Sequence, residues 1–482
     1  MKKKTYRQCH KWLGIVLSFF LLCMAASGIV LDHRHLYGNV NVSRNLLPDS
    51  YHFHNWNNGL LRGTLNIGGD SIIVYGAGGV FLTNEEGKDI TDFSKGMGNG
   101  ADARGTRSVA MTAGGRVFAV GQFDAYTLQN DVWQRLAIGK EKTRFSDVTT
   151  KGDTVVFVSR DSLFVGLPPY KYFIGKQLKA PDGYTGNVSL FRTVWMMHNG
   201  QILGIPGRVV VELIGVLFIF FCLSGICIWM LPKFIGRVKE KKLYQQLFRW
   251  NVHWHNRLGR YTILALLFIS LTGFALRPPL LIALAQTYIP SISGTTLDSD
   301  NPWADKLRAL RWDDVNNDWL LSTSEGFYFL EQLEVKPKRD IGAPAVSVMG
   351  INVLQRAKDG REWIVGSFAG LYRWNRLVGT ATDYITGRPA PTKAGSPFGK
   401  IAVSGFSSDF KREVVCTYYE GTSRMPQPEW MSGLPISVWQ LALEVHTGRI
   451  FTLLGPITIL YVFIIGLLTF FILWSGWKIL KQ

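Results

Sequence analysis

Four apolar blocks dominate this chain: Trp12–Leu31, Val209–Leu231, Leu258–Leu276 and Ile450–Trp474. Each is about 20 residues or a little longer, the length a helix needs to cross about 30 Å of hydrocarbon. Lipid offers the backbone no water to bond, so such segments must be helical. Charged residues make up only 18% of the chain, against roughly a quarter in ordinary soluble proteins. The chain therefore reads as a membrane protein. Its spans are placed at 12–31, 206–231, 258–277 and 450–474, with Pro206-Gly207 opening the second and Arg277-Pro278-Pro279 closing the third.

The net charge of +18 would suit a nucleic-acid partner if it were spread over a surface. It is not. Segments 1–11, 232–257 and 475–482 hold fourteen Lys or Arg and one acidic residue, Glu240, while the remainder is nearly balanced. Basic residues crowded beside apolar spans mark the cytoplasmic side. Both termini and the 232–257 loop are thus expected in the cytoplasm, with 32–205 and 278–449 exported to the periplasm, and no nucleic acid is implied. The first span, behind Met1-Lys2-Lys3-Lys4, also has signal-peptide features, including Ala25-Ala26-Ser27. Twenty uncharged residues exceed the usual apolar core of such a peptide, which favours an anchor. Lipoprotein attachment at Cys23 is disfavoured by Leu22. Only Cys416 lies in an exported region, so those regions must be stable without internal disulfides.

Both exported regions carry short β-branched and aromatic runs set off by turn residues. Ser71–Tyr75, Arg116–Val120, Thr154–Val158, Trp319–Thr323 and Trp363–Ser367 are examples, and Gly370–Trp374 is similar to propeller blades. The expected fold class is an integral membrane α-helical bundle of four spans with β-rich, propeller-like periplasmic regions. No catalytic triad, P-loop or zinc spacing is visible in either region.

The chain is internally duplicated. His10-Lys11-Trp12-Leu13-Gly14 opens the first span and His255-Asn256-Arg257-Leu258-Gly259 the third, and Ser27-Gly28 and Thr272-Gly273 follow at the same offset. His198-Asn199-Gly200-Gln201-Ile202 parallels His446-Thr447-Gly448-Arg449-Ile450. After a three-residue insertion, Gly215 maps to Gly466 and Ser224-Gly225 to Ser475-Gly476. Corresponding spans run in the same direction, which implies a pseudo-twofold axis along the membrane normal. His10 then faces His255 at the cytoplasmic end, and His198 faces His446 at the exported end. Gly28, Gly273, Gly215 and Gly466 offer room for close approach of helices or of a flat cofactor.

Two facing imidazoles in an apolar bundle supply the two axial ligands of a haem iron. The expectation is two bis-histidine b-type haems, His10/His255 and His198/His446, one in each leaflet. The chain has no Cys-x-x-Cys-His for covalent attachment. Single histidines at interfaces are more often hydrogen-bonding anchors, and duplicated ones could be inherited for packing, so the argument rests on the set of four. His253 competes with His255, but the repeat selects His255. His33 and His35 offer an alternative outer ligand, and His52 and His54 a metal contact or simply a solvated loop. Arg208 either pairs with Glu212 one helical turn away or binds a haem propionate. Trp12, Trp229, Trp254, Trp474 and Trp477 fit interface anchors. The basic loop Lys233–Lys242 is explained by topology, with an acidic electron donor as the other reading.

His-x-x-Leu-Gly opening a span, Ser/Thr-Gly near its far end, and His-x-Gly-x-x-x-Gly-x-x-Gly-Arg from His198 to Arg208 together resemble the PepSY-associated transmembrane helix family. That family includes bacterial inner-membrane haem proteins that reduce iron–siderophore complexes on the periplasmic side. The resemblance covers the spans and their flanks and implies haem ligation at His10, His198, His255 and His446. Neither loop contains a recognisable PepSY module. The function expected is transmembrane electron transfer to a periplasmic ferric-siderophore or other iron chelate. A cytoplasmic flavin- or NAD(P)H-dependent donor, or quinol, would supply the electrons, since the chain lacks a dinucleotide fingerprint. The alternative is a membrane-anchored sensor or scaffold without enzymatic activity. A transporter would need a polar path, for which only Arg208 and Glu212 speak.

Overall fold

The computed structural model describes residues 3–235, 241–347, 350–391 and 401–481. It divides into two compact units.

The first comprises Met1–Tyr37, Thr185–Asp298 and Trp439–Gln482. Its long helices are α1 (Lys3–Asp32), α3 (Gly204–Ile235), α4 (Lys241–Ala275) and α6 (Thr458–Lys481). All four contain stretches long and apolar enough to cross a membrane. Short helices α2 (Leu190–His198) and α5 (Val438–His446) precede α3 and α6. α4 starts inside the segment read as a cytoplasmic loop, because Lys241–Arg257 contains neither proline nor glycine to break a helix. α1 packs on α3 and α6, and α4 packs on the same two, so the four spans close a ring. Gly215 on α3 lies against Ile29, and Gly466 on α6 against Phe274, at positions equivalent in the duplication. Leu17, Ile465 and Ile472 are buried along the α1–α6 seam.

Between α2 and α3 the chain turns through Gly200, whose φ of 75° favours glycine and whose Cα faces the carbonyl of Gly207 so closely that a Cβ would come within 2.2 Å of it. Gly448, at φ 75°, turns the chain after α5. α2 packs on α4, and α5 is tied to α1 by Trp439 Nε1, which donates to the Leu31 carbonyl at 2.9 Å.

The second unit comprises Gly38–Tyr184 and Ser299–Val438, so both long loops build it together. It consists of antiparallel meanders, four-stranded over residues 63–92, 108–136, 145–176, 307–340 and 351–383, and two-stranded over 403–417. Their first strands are β1 (Gly63–Gly68), β2 (Ser108–Met111), β3 (Phe145–Lys151), β4 (Leu307–Asp313), β5 (Ile351–Arg356) and β6 (Val403–Ser407). Each first strand neighbours the next, and β6 neighbours β1. Ser108 Oγ donates to the Val148 carbonyl at 3.2 Å, the Leu310 amide to Asp147 at 2.9 Å, and Asn352 Nδ2 to the Val403 carbonyl at 2.8 Å. Thr64 and Ser407 share a hydrogen bond at 2.6 Å where the ring returns to its start. Large side chains fill the spaces between successive meanders, with Trp133, Trp303, Trp363 and Trp374 all fully buried.

Where 307–340 meets 351–383, Asp313 is buried among donors. Trp363 Nε1 reaches it at 3.0 Å and Asn316 Nδ2 at 2.8 Å, and the guanidinium groups of Arg356 and Arg376 close the cluster. Arg376 also holds Asp318 at 2.7 Å and Asp340 at 3.1 Å. Burial by itself pushes the Asp313 carboxyl upward, but the bonds from Arg356, Asn316, Trp363 and Arg376 outweigh it and hold the group well below the usual carboxylate range.

Candidate cofactor-binding sites in the helical unit

The four duplicated histidines form two pairs. His10 on α1 and His255 on α4 have ring centres 6.4 Å apart. His198, ending α2, and His446, ending α5, have ring centres 6.1 Å apart. Seventeen residues of α1 separate His10 from Ser27, which touches the second pair, so the pairs lie roughly 25 Å apart along that helix.

Each histidine meets a hydroxyl of the opposite half of the duplication. His10 Nδ1 lies 3.3 Å from Ser475 Oγ, and His255 Nδ1 lies 2.8 Å from Ser224 Oγ. His198 Nδ1 is 3.1 Å from Thr272 Oγ1, and His446 Nδ1 is 3.3 Å from Ser27 Oγ. Each hydroxyl spends its own proton on a carbonyl of its helix, as Thr272 does on Phe268 at 2.9 Å and Ser224 on Phe221 at 3.3 Å. The hydroxyl oxygen can then only accept, so Nδ1 carries the hydrogen. For His10 and His446 carbonyls give the same answer, since Ile472 accepts at 3.1 Å and Met24 at 2.8 Å. All four rings are thereby held as tautomers with a bare Nε2 lone pair, the form that binds a metal ion.

The glycine after each hydroxyl makes room for the ring. A Cβ at Gly273 would sit 2.8 Å from His198 Cε1, at Gly476 3.0 Å from His10 Cε1, and at Gly28 3.2 Å from His446 Cε1. At Gly225 the distance to His255 Cε1 is 3.8 Å, an ordinary contact. The sequence marked these Ser/Thr-Gly pairs as repeated but did not show their role. Their signal was recurrence at matching positions of the two halves, allowing for the three-residue insertion before Ser475-Gly476.

These features fit a haem iron. A haem iron would take two axial imidazoles, and the paired rings, with centres 6.4 and 6.1 Å apart, are near enough to be the two that hold it. Among the described residues no group of three or more His, Cys, Asp or Glu gathers as a metal site, and a porphyrin iron asks the protein for only two ligands.

The other candidates lie elsewhere. Arg208 Nε donates to both carboxylate oxygens of Asp32 at 2.8 and 2.9 Å, and Nη2 to the Asp32 carbonyl at 2.6 Å. Glu212 pairs instead with His33 Nε2 at 3.1 Å. The one-turn pair between Arg208 and Glu212, one of the two readings of Arg208, is therefore not formed: Arg208 takes Asp32 at the end of α1, and Glu212 takes His33 just beyond it. His33 stacks edge-on with His35. His52 Nε2 is 2.8 Å from the Arg44 carbonyl and His54 is exposed. His253 is exposed in a cleft of about 400 Å³ with Asn256, Arg257, Arg260 and Tyr261. Two residues along a helix turn the side chain by about 200°, so His253 and His255 occupy opposite faces of α4.

The family model of the PepSY-associated TM region matches residues 102–480. No curated protein matches the chain significantly. Among solved structures, an extracellular domain of the hybrid two-component system BT4673 from B. thetaiotaomicron is similar at 10% identity and TM-score 0.36, with 75% of this chain and 32% of that chain covered. This chain thus spans about a third of that structure. A structural-genomics protein of unknown function from Bacteroides thetaiotaomicron VPI-5482 gives 10% identity, TM-score 0.37 and coverage of 80% and 72%. YCF48 bound to D1 peptide gives 8%, 0.29, and 69% and 84%. Scores this low leave the fold to be read from the strands themselves.

Proposed function

Because this chain belongs to the PepSY-associated TM family, we propose that it is a two-haem electron-transfer protein of the bacterial inner membrane. The observation that carries this reading is the pair of imidazole couples, with ring centres 6.4 and 6.1 Å apart and every Nδ1 bonded to a hydroxyl. Haem held at the two levels supplies reversible one-electron chemistry. The residues do the rest. Ser475, Ser224, Thr272 and Ser27 fix the ring tautomers and orientations, and such outer-shell bonds raise the basicity of a ligating imidazole. Gly476, Gly28 and Gly273 leave space for the rings, and the apolar faces of the four spans keep water away.

With both termini cytoplasmic, His10 and His255 belong to the inner level and His198 and His446 to the outer one. A flavin- or NAD(P)H-dependent partner, or quinol, gives electrons at the inner level. A periplasmic ferric chelate such as a ferric siderophore takes one electron per iron at the outer level and becomes a more weakly held Fe(II) complex. The β unit reads as a six-bladed propeller divided between the two periplasmic loops, a reading supported by the cyclic neighbour order of its first strands.

Purified protein should show a Soret band and sharp α/β bands on dithionite reduction, with about two haems per chain in a pyridine haemochrome assay. Alanine at His10 or His255 should remove one haem, and alanine at His198 or His446 the other. Colourless protein from haem-replete cells would leave the sensor or scaffold reading in its place.

A further inference from the structure

The duplication breaks its charge symmetry beside the outer histidine pair. Asp32 and Arg277 both stand twenty-two residues after the span-opening histidine, so they are equivalent positions with opposite charge. In the first half Asp32 neutralises Arg208. The position equivalent to Arg208 in the second half is Ile459, so a matching pair cannot form there. Arg277 instead directs Nη2 toward the backbone carbonyl of His446, at 3.5 Å. Among the described residues it has no carboxylate within 4.0 Å, and it is only partly exposed. Its basic neighbour Arg449 is already held by Glu444 at 2.9 and 2.6 Å. A half-buried guanidinium without a counter-ion is costly unless an anion completes it.

We propose that Arg277 is the carboxylate-binding residue of the outer site, holding a propionate of the porphyrin gripped by His198 and His446. This inference rests on the haem reading and assigns a role that Arg208, committed to Asp32, does not fill. A planar guanidinium binds a carboxylate through two parallel hydrogen bonds, and its anchorage on the His446 carbonyl ties the carboxylate to the ligand's own helix. A positive charge so close also favours the reduced iron, because reduction adds a negative charge.

The test is a redox titration of purified wild type, Arg277→Met and Arg277→Lys. In Arg277→Met one of the two haem waves should move to more negative potential while the other stays, and Arg277→Lys should restore most of the shift. A second measurement stands even where Arg277→Met fails to fold: His10→Ala protein, which keeps the outer site alone, is stripped and reconstituted with haem or with haem dimethyl ester. Its affinity for haem should exceed that for the ester by at least tenfold. Unmoved waves, equal shifts of both waves, or equal affinity for the two porphyrins would overturn the assignment while leaving two haems per wild-type chain intact. Wild type without haem would overturn the haem reading and this assignment with it.

Discussion

At the scale of single residues, the hydroxyl–glycine dipeptide explains how a membrane helix can present an imidazole without a carboxylate to orient it. Ser and Thr in a helix normally donate back to a carbonyl one turn earlier. That habit leaves their oxygen an acceptor only, and an N–H is then the one partner it can take. The glycine beside it decides whether the ring fits. Gly273→Ala would drive a methyl to 2.8 Å from the His198 ring, whereas Gly225→Ala would place one at an unstrained 3.8 Å from His255. Displaced outer-shell partners typically lower metal affinity 10- to 100-fold. The expected result is a haemochrome stoichiometry that falls toward one in Gly273→Ala and stays unchanged in Gly225→Ala. Equal losses in both would mean that general helix packing, and not the fit of the ring, sets occupancy.

Among the elements, the polar joint between meanders 307–340 and 351–383 is centred on Asp313, whose buried carboxylate meets both Arg356 and Arg376. Asp313→Asn keeps the shape but leaves Arg356 and Arg376 facing a neutral amide, and breaking a buried ion pair from one side costs about 3–5 kcal/mol. Thermal unfolding of the purified protein, followed by tryptophan fluorescence, should shift down accordingly. The same group gives a pH dependence. Its folded pKa lies below the unfolded value, so its contribution is complete above about pH 4 and is lost as pH falls further toward the folded pKa. Asp313→Asn should abolish that part of the acid sensitivity. These elements also mark what the sequence could reveal. The spans were readable because hydropathy is local, and the histidine pairing because duplication carries spatial information. The ring of first strands was not, because contacts such as Asp147 to Leu310 join residues 163 apart, and no local pattern encodes which meander follows which. Nor was the partner of Arg208, since Asp32 ends a different span.

For the whole molecule, every hydroxyl contact that fixes the four histidine rings crosses between the halves of the duplication. His10 leans on Ser475 and His255 on Ser224, while His198 leans on Thr272 and His446 on Ser27. The β unit is shared in the same way, with Asp147 of the first half bonded to Leu310 of the second and Ser407 of the second to Thr64 of the first. Neither half therefore contains a complete site or a complete ring of strands. Duplication of a gene that once formed a symmetric dimer would leave this arrangement, because a twofold interface pairs each surface with its own copy. A chain severed between Ile235 and Lys241 tests it directly. Fragments expressed together should associate and carry haem at close to the intact stoichiometry, since the cut falls between α3 and α4 and removes none of the cross-half contacts. Either fragment alone should be colourless, because it retains two of the four histidines but only one of each pair. Haem bound by the isolated first fragment as a monomer would show that His10 and His198 find ligands within their own half, and the pairing across the duplication would then be wrong.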